Sequence, residues 1–283
     1  MRKSVLKNSC LLIVAILFVS LGLTSCEKTE HESLSFYYDY REVPVNGTVL
    51  IGPKTGSGNY TLEVENPLLF SAEMQTGWSS AAGMIAIQGR LKGDARLTVT
   101  DNLTKESQKL KIKVTDNYEV MRISKANKTD NGEVPPFPAS LNTIEWICLV
   151  NNTERDLYLV NRESTSSTDY VLKVRGKGTY TIDTEEGNCF MTFSYGVDEK
   201  GQPTLDAESA KTVSYRFRMS INDLALHRLN QNLNLGLETS MPGNWKELIR
   251  YDWEIGIPME GMGTAYKVFG TLLSSFEMPV GVL

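Results

Sequence analysis

The sequence predicts an all-β protein built from two successive domains, the second larger than the first and carrying one or two short helices. Three observations point there. Apolar and polar residues alternate with period two in segment after segment, the mark of strands with one buried and one wet face. Turn-forming pairs and clusters separate those segments at short, even intervals. Helical spacing occurs only briefly, late in the chain. With 283 residues, there is room for one large or two ordinary domains.

The chain opens on Arg2, Lys3 and Lys7, followed by an almost wholly apolar run from Leu11 to Leu21. A basic start, a short apolar core and small residues at its end form a secretory signal. The run is too short for a comfortable membrane span, which needs roughly 20 residues. It ends in Leu23-Thr24-Ser25-Cys26. This resembles the lipobox of bacterial lipoproteins, a Leu, two small residues and a Cys. The resemblance implies cleavage after residue 25, with Cys26 as an acylated N-terminus, and an outer-membrane lipoprotein of the cell envelope. Burial of acyl chains contributes about 0.8 kcal/mol per CH₂, and two or more chains hold stably. Residues 26–33 follow as a polar, acidic tether containing His31. Acidic residues just behind the Cys also resemble the tag that exports some lipoproteins to the cell surface; a plain solvated linker is the other reading.

From 34 to 116 the pattern is strand upon strand. Tyr60, Leu62 and Val64 alternate with Thr61, Glu63 and Glu65; Ala95, Leu97 and Val99 with Arg96, Thr98 and Thr100; Leu110, Ile112 and Val114 with Lys109, Lys111 and Lys113. Asn46-Gly47, 56–59, Asn66-Pro67, Gly93-Asp94 and Asp101-Asn102 supply the turns. Short, evenly spaced strands over about 80 residues read as an immunoglobulin-like β-sandwich. The stretch 93–101 followed by 110–114 resembles the closing strands of bacterial immunoglobulin-like domains. That resemblance implies a spacer and is silent on ligand.

Asp116-Asn117-Tyr118 marks the boundary, and 117–283 reads as a β-rich domain of β-sandwich type. Val120–Ile123 is a short strand. Residues 125–140, with Asp130-Asn131-Gly132 and Pro135-Pro136-Phe137-Pro138, read as an extended surface loop. Ile144–Val150 is apolar on both faces, which suits a strand covered on two sides. Leu157–Val160, Tyr170–Val174 and Thr179–Ile182 follow as strands, the last two joined by a turn at Gly176-Lys177-Gly178. Cys189, Met191, Phe193 and Tyr195 share a face, and 197–201 is a hairpin-type turn. Tyr215, Phe217, Met219 and Ile221 alternate with Arg216, Arg218, Ser220 and Asn222. Asp223 is placed to cap a helix carrying Leu226, Leu229 and Leu233, and Asn244 a second with Trp245, Leu248 and Ile249. Strands at 253–257 and 266–276 close the chain.

Composition narrows the chemistry. The net charge is −5; without residues 1–25, which hold three basic and no acidic side chains, 26 basic face 34 acidic ones. An acidic chain with no basic cluster argues against nucleic acid as a partner and leaves the acyl chains as the membrane contact. The two histidines, His31 and His227, form no metal-spaced pair, and no P-loop, dinucleotide fingerprint or Gly-x-Ser-x-Gly elbow occurs. No cofactor, metal or catalytic residue is expected. Cys148 and Cys189 are candidates for a disulfide in an oxidising compartment; the other reading is two buried, small apolar side chains. The remaining signal is aromatic. Trp245, Tyr251 and Trp253 stand among Lys246, Glu247, Arg250 and Asp252, a composition suited to stacking a sugar ring; core tryptophans are the alternative. The expectation is a surface-anchored, non-catalytic binding protein for a glycan or other extracellular ligand. It resembles in layout the glycan-binding lipoproteins of polysaccharide-utilisation systems. The alternative is an adhesin or fibre subunit contacting another surface protein, which would donate its strand at 266–276 to a neighbour.

Overall fold

The computed structural model describes residues 32–75, 81–124, 139–141, 143–166, 169–219, 223–237, 254–261, 267–273 and 277–283. Cys26, Trp245, Tyr251 and Trp253 lie outside them, as does the helix expected after Asn244.

Seven strands form the first unit: β1 (Tyr40–Pro44), β2 (Thr48–Ile51), β3 (Tyr60–Val64), β4 (Phe70–Gln75), β5 (Met84–Gly89), β6 (Gly93–Asp101) and β7 (Ser107–Thr115). They make a four-stranded sheet in the order β1-β7-β6-β3 and a three-stranded one in the order β2-β5-β4. Period-two patterning decides which face goes inward. Ala95, Leu97 and Val99 of β6 and Leu110, Ile112 and Val114 of β7 meet Phe70, Ile85 and Ile87 of the facing sheet in one apolar core.

β1 runs parallel to β7, Tyr40 opposite Lys111 and Pro44 opposite Thr115. The chain therefore enters this sandwich at one end and leaves at the other. The entry is tied down by Glu106, in the turn between β6 and β7, which accepts hydrogen bonds from the Leu34 N–H at 2.9 Å and the Ser33 hydroxyl at 3.2 Å. The nine residues of β7 carry the exit about 30 Å away.

Two residues, Asp116 and Asn117, separate β7 from the second unit. Its strands are β8 (Tyr118–Ser124), β9 (Trp146–Val150), β10 (Asp156–Ser164), β11 (Tyr170–Glu185), β12 (Asn188–Val197), β13 (Lys211–Met219), β14 (Glu254–Gly261) and β15 (Lys267–Leu273). Each pairs with its sequence neighbour, and β15 pairs with β8. The expected β-sandwich is thus replaced by a closed barrel of eight strands. Closure removes the exposed edges that an open sheet would have to protect. An eight-stranded barrel is just wide enough for side chains to fill. Here Ile147, Leu149, Leu157, Leu159, Tyr180, Met191, Phe193, Tyr195 and Phe217 fill it.

One feature of the barrel differs from the sequence reading. Gly176-Lys177-Gly178 is no turn, because β11 runs straight through it for 16 residues. The glycines answer close approach instead: a Cβ on Gly178 would lie 2.0 Å from the Ser194 carbonyl oxygen, and one on Gly176 would lie 2.9 Å from the Pro203 Cβ. The partner strand β10 shifts register between Leu159 and Val160 to match.

Both ends of the barrel are stopped. A 3-10 turn, Ala139–Leu141, closes the end away from the sandwich, with the buried Ser140 hydroxyl 2.7 Å from that of Tyr195. Helix α1 (Asp223–Leu233) closes the other, burying Ala225, Leu229 and Leu233 in the barrel core. Arg155 fastens the end of α1 by donating to the carbonyls of Leu233 and Asn234.

Candidate functional site

The union of the two units leaves a cleft of about 390 Å³, a volume within the roughly 300–1,000 Å³ of small-molecule sites. One wall is the sandwich segment from Pro44 to Leu50, which turns at Asn46-Gly47. The other is the start of β8 together with Arg228 and Asn232 of α1, and Glu277 stands at the margin. Asn46 holds a left-handed backbone, φ 61°, as this residue tolerates in tight turns. The Gly47 N–H closes the turn on the Pro44 carbonyl at 2.9 Å.

The floor is a buried ion pair. Glu119 and Arg228 are 2 % and 6 % exposed. Arg228 donates through Nε and Nη2 to the two carboxylate oxygens, each at 2.8 Å. Asn232 donates to the same carboxylate, and Asn117 donates to the Asn232 backbone carbonyl at 3.3 Å. Such a pair stabilises little in net terms, because desolvation offsets the attraction, but losing one partner strands the other charge. It fixes α1 against β8 and leaves the floor electrically balanced. At the margin, Glu277 is answered by Arg41 at 3.6 Å. The cleft therefore offers amide groups (Asn46, Asn117, Asn232), the Thr48 hydroxyl and the Tyr118 side chain without an excess of either charge. Burial pushes the Tyr118 phenol up to about 12, so it stays protonated at neutral pH.

Cys148 and Cys189 are both free and buried. The disulfide fails on geometry: Cys189 points into the barrel core, whereas Cys148 belongs to a second apolar cluster on the outside of the wall, with Val120, Val150 and Met278. The wall stands between them. His227 is buried in α1. Among the described residues no group of three or more His, Cys, Asp or Glu could hold a metal ion.

Sequence reasoning did not single out Glu119, Arg228 or Asn232. A signal for two of them was present: Arg228 and Asn232 fall three and seven residues after Ala225, on the helix stripe that also carries Leu229. A charge on an apolar stripe calls for a buried partner. Glu119 gave no such sign, since it lies at a strand start beside a domain boundary.

No family model matches the chain, and no curated protein matches it either. Several solved structures are similar at low level, three of them as follows. A crystal structure of the S-layer protein rSbsC matches at 13 % identity over 56 % of this chain and 24 % of that one, with a TM-score of 0.26; this chain thus spans about a quarter of that one. Domains 5–6 of the S-layer protein SbsC match at 12 % identity over 65 % and 95 %, TM-score 0.27. A protein of unknown function from Bacteroides ovatus matches at 9 % identity over 86 % and 94 %, TM-score 0.23. At these scores the overlap does not amount to a shared fold.

Proposed function

We propose that this is a lipoprotein of the cell envelope, anchored through acyl chains on Cys26 and facing outward. Its immunoglobulin-like sandwich acts as a stalk, and the barrel it carries helps bind a neutral, hydroxyl-rich ligand such as a polysaccharide, without catalysis. The observation that carries this reading is the parallel pairing of β1 with β7. A unit whose chain enters at one end and leaves at the other separates what is attached to each. The interdomain cleft supports the ligand class: Asn46 and the Thr48 hydroxyl on its sandwich wall are placed to meet hydroxyl groups, and paired charges favour no ion.

The alternative, a fibre subunit that donates its last strand, needs that strand free to leave. β15 is hydrogen-bonded on both edges, to β14 and to β8, so donation would open the barrel. The arrangement favours binding.

The test is a glycan array probed with a soluble form carrying Cys26→Ala, beside a variant that also carries Thr48→Trp. Thr48 is exposed at the cleft wall, so a tryptophan there fills the cleft without disturbing a core. Retention of a neutral glycan by the first protein, weakened at least roughly ten-fold in the second, is the expected result. Absence of glycan retention, or retention indifferent to Thr48→Trp, defeats the reading.

A further inference from the structure

The sheets of the two units are joined in sequence only by Asp116 and Asn117, yet another segment holds both. Residues 277–283 leave the barrel and lie across the junction in no strand. On the barrel side, Met278 is 8 % exposed and packs with Val282 and Leu283 on the outer-wall cluster of Val120, Cys148 and Val150. Its N–H donates to the Tyr118 hydroxyl at 3.2 Å. On the sandwich side, the Gly281 N–H donates to Glu42 at 3.1 Å, Lys113 donates to the Leu283 carbonyl, and Glu277 faces Arg41. Glu42 is the knot of this side. It also accepts from the Tyr40 hydroxyl at 2.7 Å and has Lys113 3.9 Å away.

We infer that Glu277–Leu283 is a strap that sets the angle between sandwich and barrel, and with it the width of the cleft, and that it lifts without unfolding either unit. The attachments are of the kind that opens locally: a few side-chain bonds and one small apolar patch at a partly wet surface, with no ladder of backbone bonds to either sheet among the described residues. Glu277 and Val280 are largely exposed. Lifting would bare the outer-wall cluster and leave the barrel core untouched, since the two clusters lie on opposite faces of the same strands. Glu277 borders the cleft, so movement of the strap moves one margin of the site. The strap's control over ligand rests on the reading of the cleft as the binding site; its opening does not.

The two thiols distinguish the states. Cys148 lies under the strap and Cys189 in the barrel core. Burial, with the Glu119 carboxylate adding to it, holds the Cys148 thiol well above its ordinary range and unreactive while covered. The experiment takes the whole soluble chain carrying Cys26→Ala, with no ligand, and follows alkylation of each cysteine by mass spectrometry. Glu42→Ala removes the acceptor for Gly281. Alkylation of Cys148 should rise roughly ten-fold or more with Cys189 unchanged, and small-angle scattering should show a larger maximum dimension. Glu42→Gln, which keeps an acceptor, should fall between the two, and Met278→Ser should repeat the pattern by loosening the other side. An unchanged Cys148 rate overturns the proposal, as does a parallel rise at both cysteines, which would mean that the barrel itself unfolds. Because no ligand enters the experiment, its failure leaves the binding reading to the glycan array.

Discussion

Strands β6 and β9 answer to different surroundings. In β6, Ala95, Leu97 and Val99 go inward while Asp94, Arg96 and Thr98 face outward. In β9, all five residues from Trp146 to Val150 are buried: Ile147 and Leu149 fill the barrel, while Trp146, Cys148 and Val150 meet the outer cluster under the strap. The sandwich thus has one apolar core, and the barrel has a core inside its wall and a second apolar layer outside part of it. A strand of the first kind announces its geometry by alternation. A strand of the second kind announces only that it is covered, because both faces carry the same kind of residue.

The largest effect that would break this contrast comes from the barrel core. Phe193 is fully buried against Phe217, ring centroids 5.7 Å apart. Phe193→Ala should cost about 3–5 kcal/mol. Hydrogen exchange read by mass spectrometry should show the loss over 118–273 and leave 40–115 protected. Deprotection of both halves would mean that the two units unfold as one, and the comparison would fall.

Next in size is Gly178→Ala. If the glycine serves close approach, the added methyl meets the Ser194 carbonyl oxygen and should cost about 1–3 kcal/mol by overpacking. A chemical-denaturation midpoint equal to that of the parent would restore the turn that the sequence suggests.

The smallest effect sharpens the contrast from the sandwich side. Asp101 is fully buried. Burial pushes its carboxyl up, but the Ser57 hydroxyl and the N–H groups of Ser57, Leu103 and Thr104 outweigh that and hold it at about 2. A folded value below the unfolded one means stability that is complete above the ordinary 3.8 and is lost as pH falls from there through about 2. Asp101→Asn should cost about 1 kcal/mol at pH 7. It should also flatten the decline of sandwich stability between pH 4 and 2, measured by acid titration of exchange protection over 40–115. An equal decline in both proteins would remove Asp101 from that role.

Legibility followed the same division. β3, β6 and β7 could be read off almost residue for residue, because one wet face gives each strand a phase. The double cover of β9 was legible too, and so was the helix at Leu229 and Leu233. Closure of the barrel was not. It depends on β15 meeting β8, a pairing about 150 residues apart in sequence, and no local pattern encodes which strand a terminal strand will find. The turn at Gly176-Lys177-Gly178 misled because glycine marks both chain reversal and close backbone contact. The cleft was hidden for a related reason. Its amides come from the turn that carries the chain from one sheet of the sandwich to the other, a linker and a helix, each ordinary alone, and the Glu119–Arg228 pair spans 109 residues. The disulfide could not be decided from sequence, because facing inward or outward is a property of the closed wall.

The parallel course of β1 and β7 has a mechanical consequence. Tension applied between the chain ahead of β1 and the barrel pulls β1 from its N-terminal end and β7 from its C-terminal end. The force then runs along both strands, and the bonds between Tyr40–Pro44 and Lys111–Thr115 are loaded in shear together. They cannot be peeled apart one after another, as a hairpin pulled from its open end would be. The order in which these two strands are stitched thus makes the sandwich stiff along the line that joins its entry to its exit.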